Sequence, residues 1–593
     1  MTYQTNWNLA RYFYTGLDDP KLASDIASIR PITMAFSEKY KTSFSQFTTP
    51  EQILEFYTDY TEFSHTIATP SYYLFYLSSL DTQNLDVTKK MGELDFIYND
   101  ISNELLFIAQ GWKEIGYDRI MSWSVDPKLA RYKNDLVSTA DGIKYILSEK
   151  EEYVLNMKSR PLGLAGSLHD ELTGSYEFLM QIDGDEKKMT EEEVRSYRQH
   201  TDRILRMESY QSLRAVYNTK QNQIALGNIY TTIVKDWSSE IRLRGYPENV
   251  MAQRNLSEEM DDEVVDMLLS EVEKSYPLYL RFLKAKAKML GLEKDFSVWD
   301  IGAPLSTTEK DFSFDEAFDL HLSVMKDFDE EFYDYSKEMI EEGRIDAFPR
   351  PGKRGGAFAS YRKDDPSFVL LNFTGKLRDV STISHELGHA IHGHLSQFQE
   401  APVYDSPLSL AETASIFSEM LLGEKIKSLV SQDEYREYLN ERLGDVFATI
   451  FRQVQYVIFE RGVHTEIHKG NELSYKDLNL LWRTEQEKMN GGFIVYDTSA
   501  EEESGWSMIP HIYHTPFYCY AYAFGNLLTF ALYNKVQDGS LSKEDYKDIL
   551  RAGGSERPRD LLGRYGIDIA SAEFYRSGLR EVEKMVEEFE SLI

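Results

Sequence analysis

A mainly helical protein with one small β-hairpin is expected from three features of this 593-residue chain. Long stretches repeat apolar residues at spacings of three and four, as at Ile101, Leu105, Leu106, Ile108 and Ala109, which is the period of a one-faced helix. Breakers are sparse, with 34 Gly and 17 Pro in the whole chain. Only one segment pairs two β-like runs around a turn. Apolar residues at 42% and charged residues at 27% are ordinary globular usage, which excludes a disordered or fibrous chain.

Helical patterns come first, over 19–64, 86–116 and 128–160. The polar run DGDEKKMTEEEVRSY at 183–197 reads as a solvated helix start and sets a boundary between an N-terminal helical domain, 1–190, and a larger domain, 191–593. Helical patterns return over 190–240, 260–291 and 313–342. At 349–375 two β-like runs, 357–361 and 367–373, flank Lys363, Asp364, Asp365 and Pro366, a hairpin signature. Helical patterns fill 410–470 and 541–593, while 489–510 is too rich in Gly and polar residues for a regular element and is expected as a mobile loop, a candidate lid. The most apolar run, FYCYAYAFGNLLTFALY at 517–533, contains Asn526, Thr529 and four tyrosines. It falls short of the ~20 apolar residues of a spanning helix and reads as a buried one, so no membrane contact is expected. No fixed-period repeat suggests a solenoid.

Charge narrows the partners. Lys plus Arg number 65 against 98 Asp plus Glu, and 65 − 98 = −33 repels phosphate backbones, so nucleic acid is not an expected partner. The single cysteine, Cys519, cannot form an internal disulfide. With no basic leader and apolar run in MTYQTNWNLARYFYTGLDD, a cytoplasmic location is expected.

The chemical signal follows the hairpin. His385, Glu386 and His389 form His-Glu-x-x-His on a helical pattern. Histidines four apart share one helix face and can give two imidazole nitrogens to one Zn²⁺, while Glu386 lies about 100° round the axis, within reach of a water beside the metal. A second pair four apart, His464 and His468, has its acid, Glu466, two residues after the first His, so 460–468 reads as a solvated amphipathic helix. His392 and His394 continue the first helix as local hydrogen-bonding groups.

A hydrolytic zinc keeps three protein ligands and one open position, so a third donor must come from elsewhere. Glu412 lies 412 − 385 = 27 residues after the first His, enough chain to turn and lay a second helix beside the first. On that helix Glu412, Ser415 and Glu419 share a face among apolar neighbours, and buried acids need partners. Glu412 is the expected third ligand, with Glu419 and Asp379 as candidates to orient imidazole N–H groups. Gly355 and Gly356 leave backbone groups approachable, so an extended peptide could pair with the strand edge through Gly356, Ala357, Phe358 and Ala359 to Ser360.

These residues resemble the oligoendopeptidase F and thimet oligopeptidase group of zinc peptidases. The resemblance covers most of the chain and is carried by the Gly-rich hairpin, the segment Gly375 to His392, Glu412-x-x-Ser415, and IPHIYHTPFYCYAY at 509–522. It implies a two-lobed helical body around a deep channel that admits short oligopeptides, with one Zn²⁺ per chain. It also implies that His511, Tyr520 and Tyr522, and with them Tyr513, line the site opposite the metal, where hydroxyl and imidazole N–H groups would stabilise an oxyanion. The expected activity is endopeptidase cleavage with Glu386 as the base. A zinc exopeptidase of similar fold and a non-catalytic zinc-containing peptide binder are the alternatives.

Overall fold

The computed structural model describes residues 3–306 and 310–593, which are mainly helical, with strands confined to two small sheets. Caps set several helix starts. In α1 (Pro20–Tyr40) the Asp19 side chain accepts the Lys21 N–H and Pro20 takes the first position, where its missing N–H costs nothing. Capping boxes open α2 (Pro50–Leu80), from Thr49 and Gln52, and α3 (Glu149–Gly174), from Ser148 and Glu151. The N-terminal helices close on an aromatic core that includes Phe36, Phe44, Phe56, Tyr57 and Trp112.

The polar run at 183–197 starts a helix only in its second half, where Thr190 and Glu193 form a capping box that opens a short helix at Glu191–Ser196. Its first half is the turn and second strand of a hairpin, β1 (Phe178–Ile182) with β2 (Asp185–Met189). Asp183 and Gly184 both have positive φ, 55° and 88°, as a two-residue hairpin turn of the primed type requires. β2 buries none of its residues, so it has no apolar alternation to betray it. Phe178, Met180 and Ile182 of β1 pack in one core with Val194, Tyr230, Phe459 and Trp506, so residues on both sides of 190 share it.

The second sheet has the order β3–β5–β4, with β3 (Ile345–Asp346) parallel to β5 (Asp365–Leu370) and β4 (Phe358–Arg362) antiparallel to it. The expected hairpin is therefore present, turning through Asp364 at φ 67°. β5 alternates by the strand period of two. Phe368 and Leu370 face an N-terminal core with Trp7, Tyr73 and Tyr76, whereas Val369 faces the main core. The Trp7 indole N–H donates to the Val369 carbonyl at 2.8 Å.

Beneath this sheet lies α4 (Leu377–Leu395), which buries Val380, Ile383, Leu387, Ala390 and Ile391 at helical spacing in the main core. α5 (Thr413–Ile426), α6 (Gln432–Val446) and α7 (Arg452–His468) add to that body. A short α8 (His511–His514) leads into α9 (Tyr520–Gln537), which carries the apolar run and is buried along most of its length. Among the described residues no helix is long and apolar enough to cross a membrane.

Two further expectations are corrected. The end of α7, read as a solvated face, holds Glu460 and His464 wholly buried, because Phe517, between α8 and α9, and Trp237 pack over it. Burial pushes Glu460 up to about 8 and His464 down to about 3, so both are neutral near pH 7. The 489–510 stretch is anchored rather than free. Val495 pairs with Phe296 at one end, and near the other Glu503 is wholly buried between Arg214 and Arg483 while the Trp506 indole donates to Asn479 at 2.8 Å. Buried ion pairs fix a segment whose composition alone reads as mobile.

Candidate metal centre

His385 and His389 stand one turn apart on α4, and Glu412 sits at the N-terminal edge of α5, the helix packed against α4. The close approach depends on Gly388. A Cβ there would meet the Ala414 carbonyl oxygen and the Ser415 Cα at 2.6 Å, so only glycine lets the two backbones come this near. As a result three donor atoms converge. His385 Nε2 and His389 Nε2 are 3.2 Å apart, and Glu412 Oε2 lies 3.5 Å and 3.4 Å from them. A tetrahedral ion with ligand bonds of about 2.0–2.1 Å needs donors roughly 3.3–3.4 Å apart, so these residues fit zinc-type coordination.

The electrostatics also call for a cation. Burial alone would lower the His385 pKa, but Glu419, with Glu412 and Glu386, outweighs it and lifts the ring to about 9. Burial would likewise raise Glu412, yet His389, His385 and the Ser415 hydroxyl, which donates at 2.7 Å, hold it down to about 2. Glu419 lies beside the ring: its Oε1 is 2.5 Å from His385 Nδ1, and Arg442 pairs with its other oxygen. That arrangement leaves His385 Nε2 as the free donor. Asp379 does not orient a ring. It accepts the Thr374 and Lys376 N–H groups at 2.7 and 3.1 Å and so caps α4. Glu419→Gln is expected to weaken metal binding about 10–100-fold with the fold intact, measured by competition with a chromogenic chelator.

Glu386 lies between the ligands in sequence but outside the donor triangle, and burial raises its pKa despite the two histidines. Its carboxylate accepts the Ala359 N–H, which ties β4 to α4. The strand edge expected to bind peptide therefore passes directly over this acid, with Ala359 N–H already engaged. His392 is buried, which lowers its pKa to about 4, and His394 stacks on Tyr335 at 4.0 Å, so neither joins the centre.

The late aromatic cluster divides. His511 Nε2 is 3.5 Å from the Tyr522 hydroxyl, and Tyr518 packs against both rings. Burial, with the Glu412 charge as a smaller contribution, raises the pKa of Tyr518 and Tyr522 alike, and Gly525, one turn beyond Tyr522, lies against the Glu412 side chain. Tyr520 and Tyr513 do not join them. Two residues along a helix rotate about 200°, which turns Tyr520 away from Tyr522 toward Glu258 and Arg254. Tyr513 is buried and stacks on His169 at 3.9 Å. Tyr518 belongs to the group through its four-residue spacing from Tyr522, and Arg442, on α6, had no local sequence signal.

Open space lies on both sides of the donors. One cavity of about 550 Å³ is lined by Gly356, Asn372, Arg378, His385, Glu386 and Glu419, and another of about 450 Å³ by Tyr72, Phe358, Tyr361, Glu386 and His389. The first adjoins a larger cavity of about 780 Å³ through Arg378 and Asp445. Tyr72 comes from α2, so the N-terminal helices supply part of the wall.

The model of peptidase family M3 matches residues 196–581. Group B oligopeptidase PepB of Streptococcus agalactiae is 30% identical over 480 residues, 79% of this chain and 78% of that protein. Oligopeptidase PepF of Bacillus subtilis is 26% identical over 507 residues, 84% of this chain and 74% of that one. Among solved structures, oligoendopeptidase-F from Enterococcus faecium superposes with a TM-score of 0.70 at 21% identity, covering 96% of this chain and 97% of its own. A crystal structure from Chlamydophila abortus gives 0.84 at 24% identity, covering 100% and 98%.

Proposed function

Since the chain belongs to peptidase family M3 and is a metallo-oligopeptidase, we propose that it is a zinc endopeptidase that cuts internal bonds of short oligopeptides, with His385, His389 and Glu412 holding the ion. The observation that carries this reading is the pair of cavities, which leave room for peptide on both sides of the donor triangle. An exopeptidase needs a blocked end close to the metal, and a structural zinc needs a fourth protein ligand.

Zinc bound there supplies a Lewis acid that polarises the scissile carbonyl and acidifies a water. Glu386 takes the proton of the attacking water and hands it to the leaving amine, a transfer favoured by a carboxyl whose pKa burial raises above that of a free side chain. His511 and Tyr522, with Tyr518 behind them, donate to the oxyanion side. The segment Gly356-Ala357 that leads into β4, with Phe358 at its start, pairs with the peptide backbone, which favours breadth in side-chain preference. Glu419 holds His385 in one tautomer. Cytoplasmic peptides are the natural pool for a chain with one cysteine, buried.

Cleavage of a peptide blocked at both ends tests the reading. Internal cutting, located by mass spectrometry, that falls at least tenfold with phenanthroline and returns with Zn²⁺ is expected. Trimming of unblocked peptides alone would replace the endopeptidase reading by the exopeptidase one.

A further inference from the structure

A second set of metal-donor side chains lies apart from the catalytic centre: His169 and Asp170 on α3, and His514 at the end of α8. His169 is buried, and its Nε2 is 3.1 Å from the Ser507 carbonyl oxygen. A carbonyl only accepts, so Nε2 carries the proton and, in the neutral ring, Nδ1 is a bare lone pair. That lone pair faces Asp170 Oδ1 at 3.0 Å, and His514 Nε2 faces the same oxygen at 3.0 Å. The His169 lone pair and the Asp170 carboxylate this close need a cation between them, either a second proton on the ring or a metal ion, and His514 Nε2, in the tautomer that leaves it a lone pair, turns a third donor toward the same place. A histidine whose other N–H is given to a backbone carbonyl is the usual form of a metal ligand. The His514 ring is seated on α3 by the absence of a side chain: a Cβ on Gly166 would stand 2.9 Å from its Nδ1 and Cε1.

We propose that His169 Nδ1, Asp170 Oδ1 and His514 Nε2 form a second divalent-cation site that clamps α3 to α8. Two imidazoles and one carboxylate suit Zn²⁺, Co²⁺ or Ni²⁺ and are a poor set for Mg²⁺ or Ca²⁺. The 3.0 Å separations open by a few tenths of an ångström to reach the tetrahedral spacing of about 3.3–3.4 Å. Asp170 and His514 are exposed, so an ion enters from solvent and water completes its shell. α8 begins with His511, three residues before His514, so an ion here stiffens the short helix that presents His511 to Tyr522. Its role is positioning, not chemistry.

The test is metal stoichiometry. Protein stripped with a chelator is titrated with Co²⁺ alone, and bound metal per chain is measured after desalting. Two ions are expected for the wild type, one for His514→Ala and for Asp170→Asn, and one for His389→Ala, which removes the other centre. The second equivalent should raise Tm in the wild type and not in His514→Ala. One ion in the wild type, or two retained in both His514→Ala and Asp170→Asn, overturns the site.

Discussion

Glu386→Gln is expected to lower kcat about 10³-fold while metal content and Tm stay at wild-type values. Gln keeps the size of the side chain and an oxygen that can accept the Ala359 N–H, so β4 stays tied to α4. It removes the one thing the reaction needs, a group able to take a proton from water and return it to the amine. Glu386 is not one of the three converging donors, so the ion is held as before. Steady-state kinetics on the blocked peptide, with metal analysis on the same sample, checks this. Turnover above a tenth of wild type would remove Glu386 from the role of base, and loss of metal would show that it ligates.

Gly388→Ala tests the geometry rather than the chemistry, and its expected effect is nearly as large. The added methyl would sit 2.6 Å from the Ala414 carbonyl oxygen and the Ser415 Cα, both backbone atoms that cannot swing aside. α4 and α5 must part, at a stability cost of about 1–3 kcal/mol, the usual penalty for overpacking. Because Glu412 stands at the start of α5 and both histidines stand on α4, the same shift spreads the donor triangle. Metal affinity should fall at least tenfold, read by chelator competition, and the chromatographed variant should arrive with less than one ion per chain. A variant with wild-type affinity would mean that α5 relaxes without moving Glu412.

What could be read from residues alone followed locality. The pentapeptide around Glu386 places two ligands because helical spacing is a rigid ruler, and Glu419 could be paired with a ring because it lies on the same face as Glu412. Asp379 went astray because a carboxylate in a first turn has a nearer use, capping the helix. Tyr520 and Tyr513 went astray because a list of aromatics does not say which side of a helix each one takes. The hairpin at 178–189 escaped because its second strand is charged up to its last residue, Met189, leaving the Asp183-Gly184 turn as its clearest mark. The burial of Glu460 and His464 was invisible because what covers them comes from residues more than fifty positions away, as the Phe517 N–H donated to Glu460 shows.

Strand β5 has a mechanical consequence. Phe368 and Leu370 are gripped from the N-terminal side and Val369 from the catalytic side, and the Trp7 indole is bonded to its backbone. An element held on both faces is a shared footing. Tyr73 and Tyr76 of α2 pack on this strand, and α4, which carries Glu386 and both histidines, packs against the same strand, so one element aligns the N-terminal wall of the cleft with its metal-binding floor.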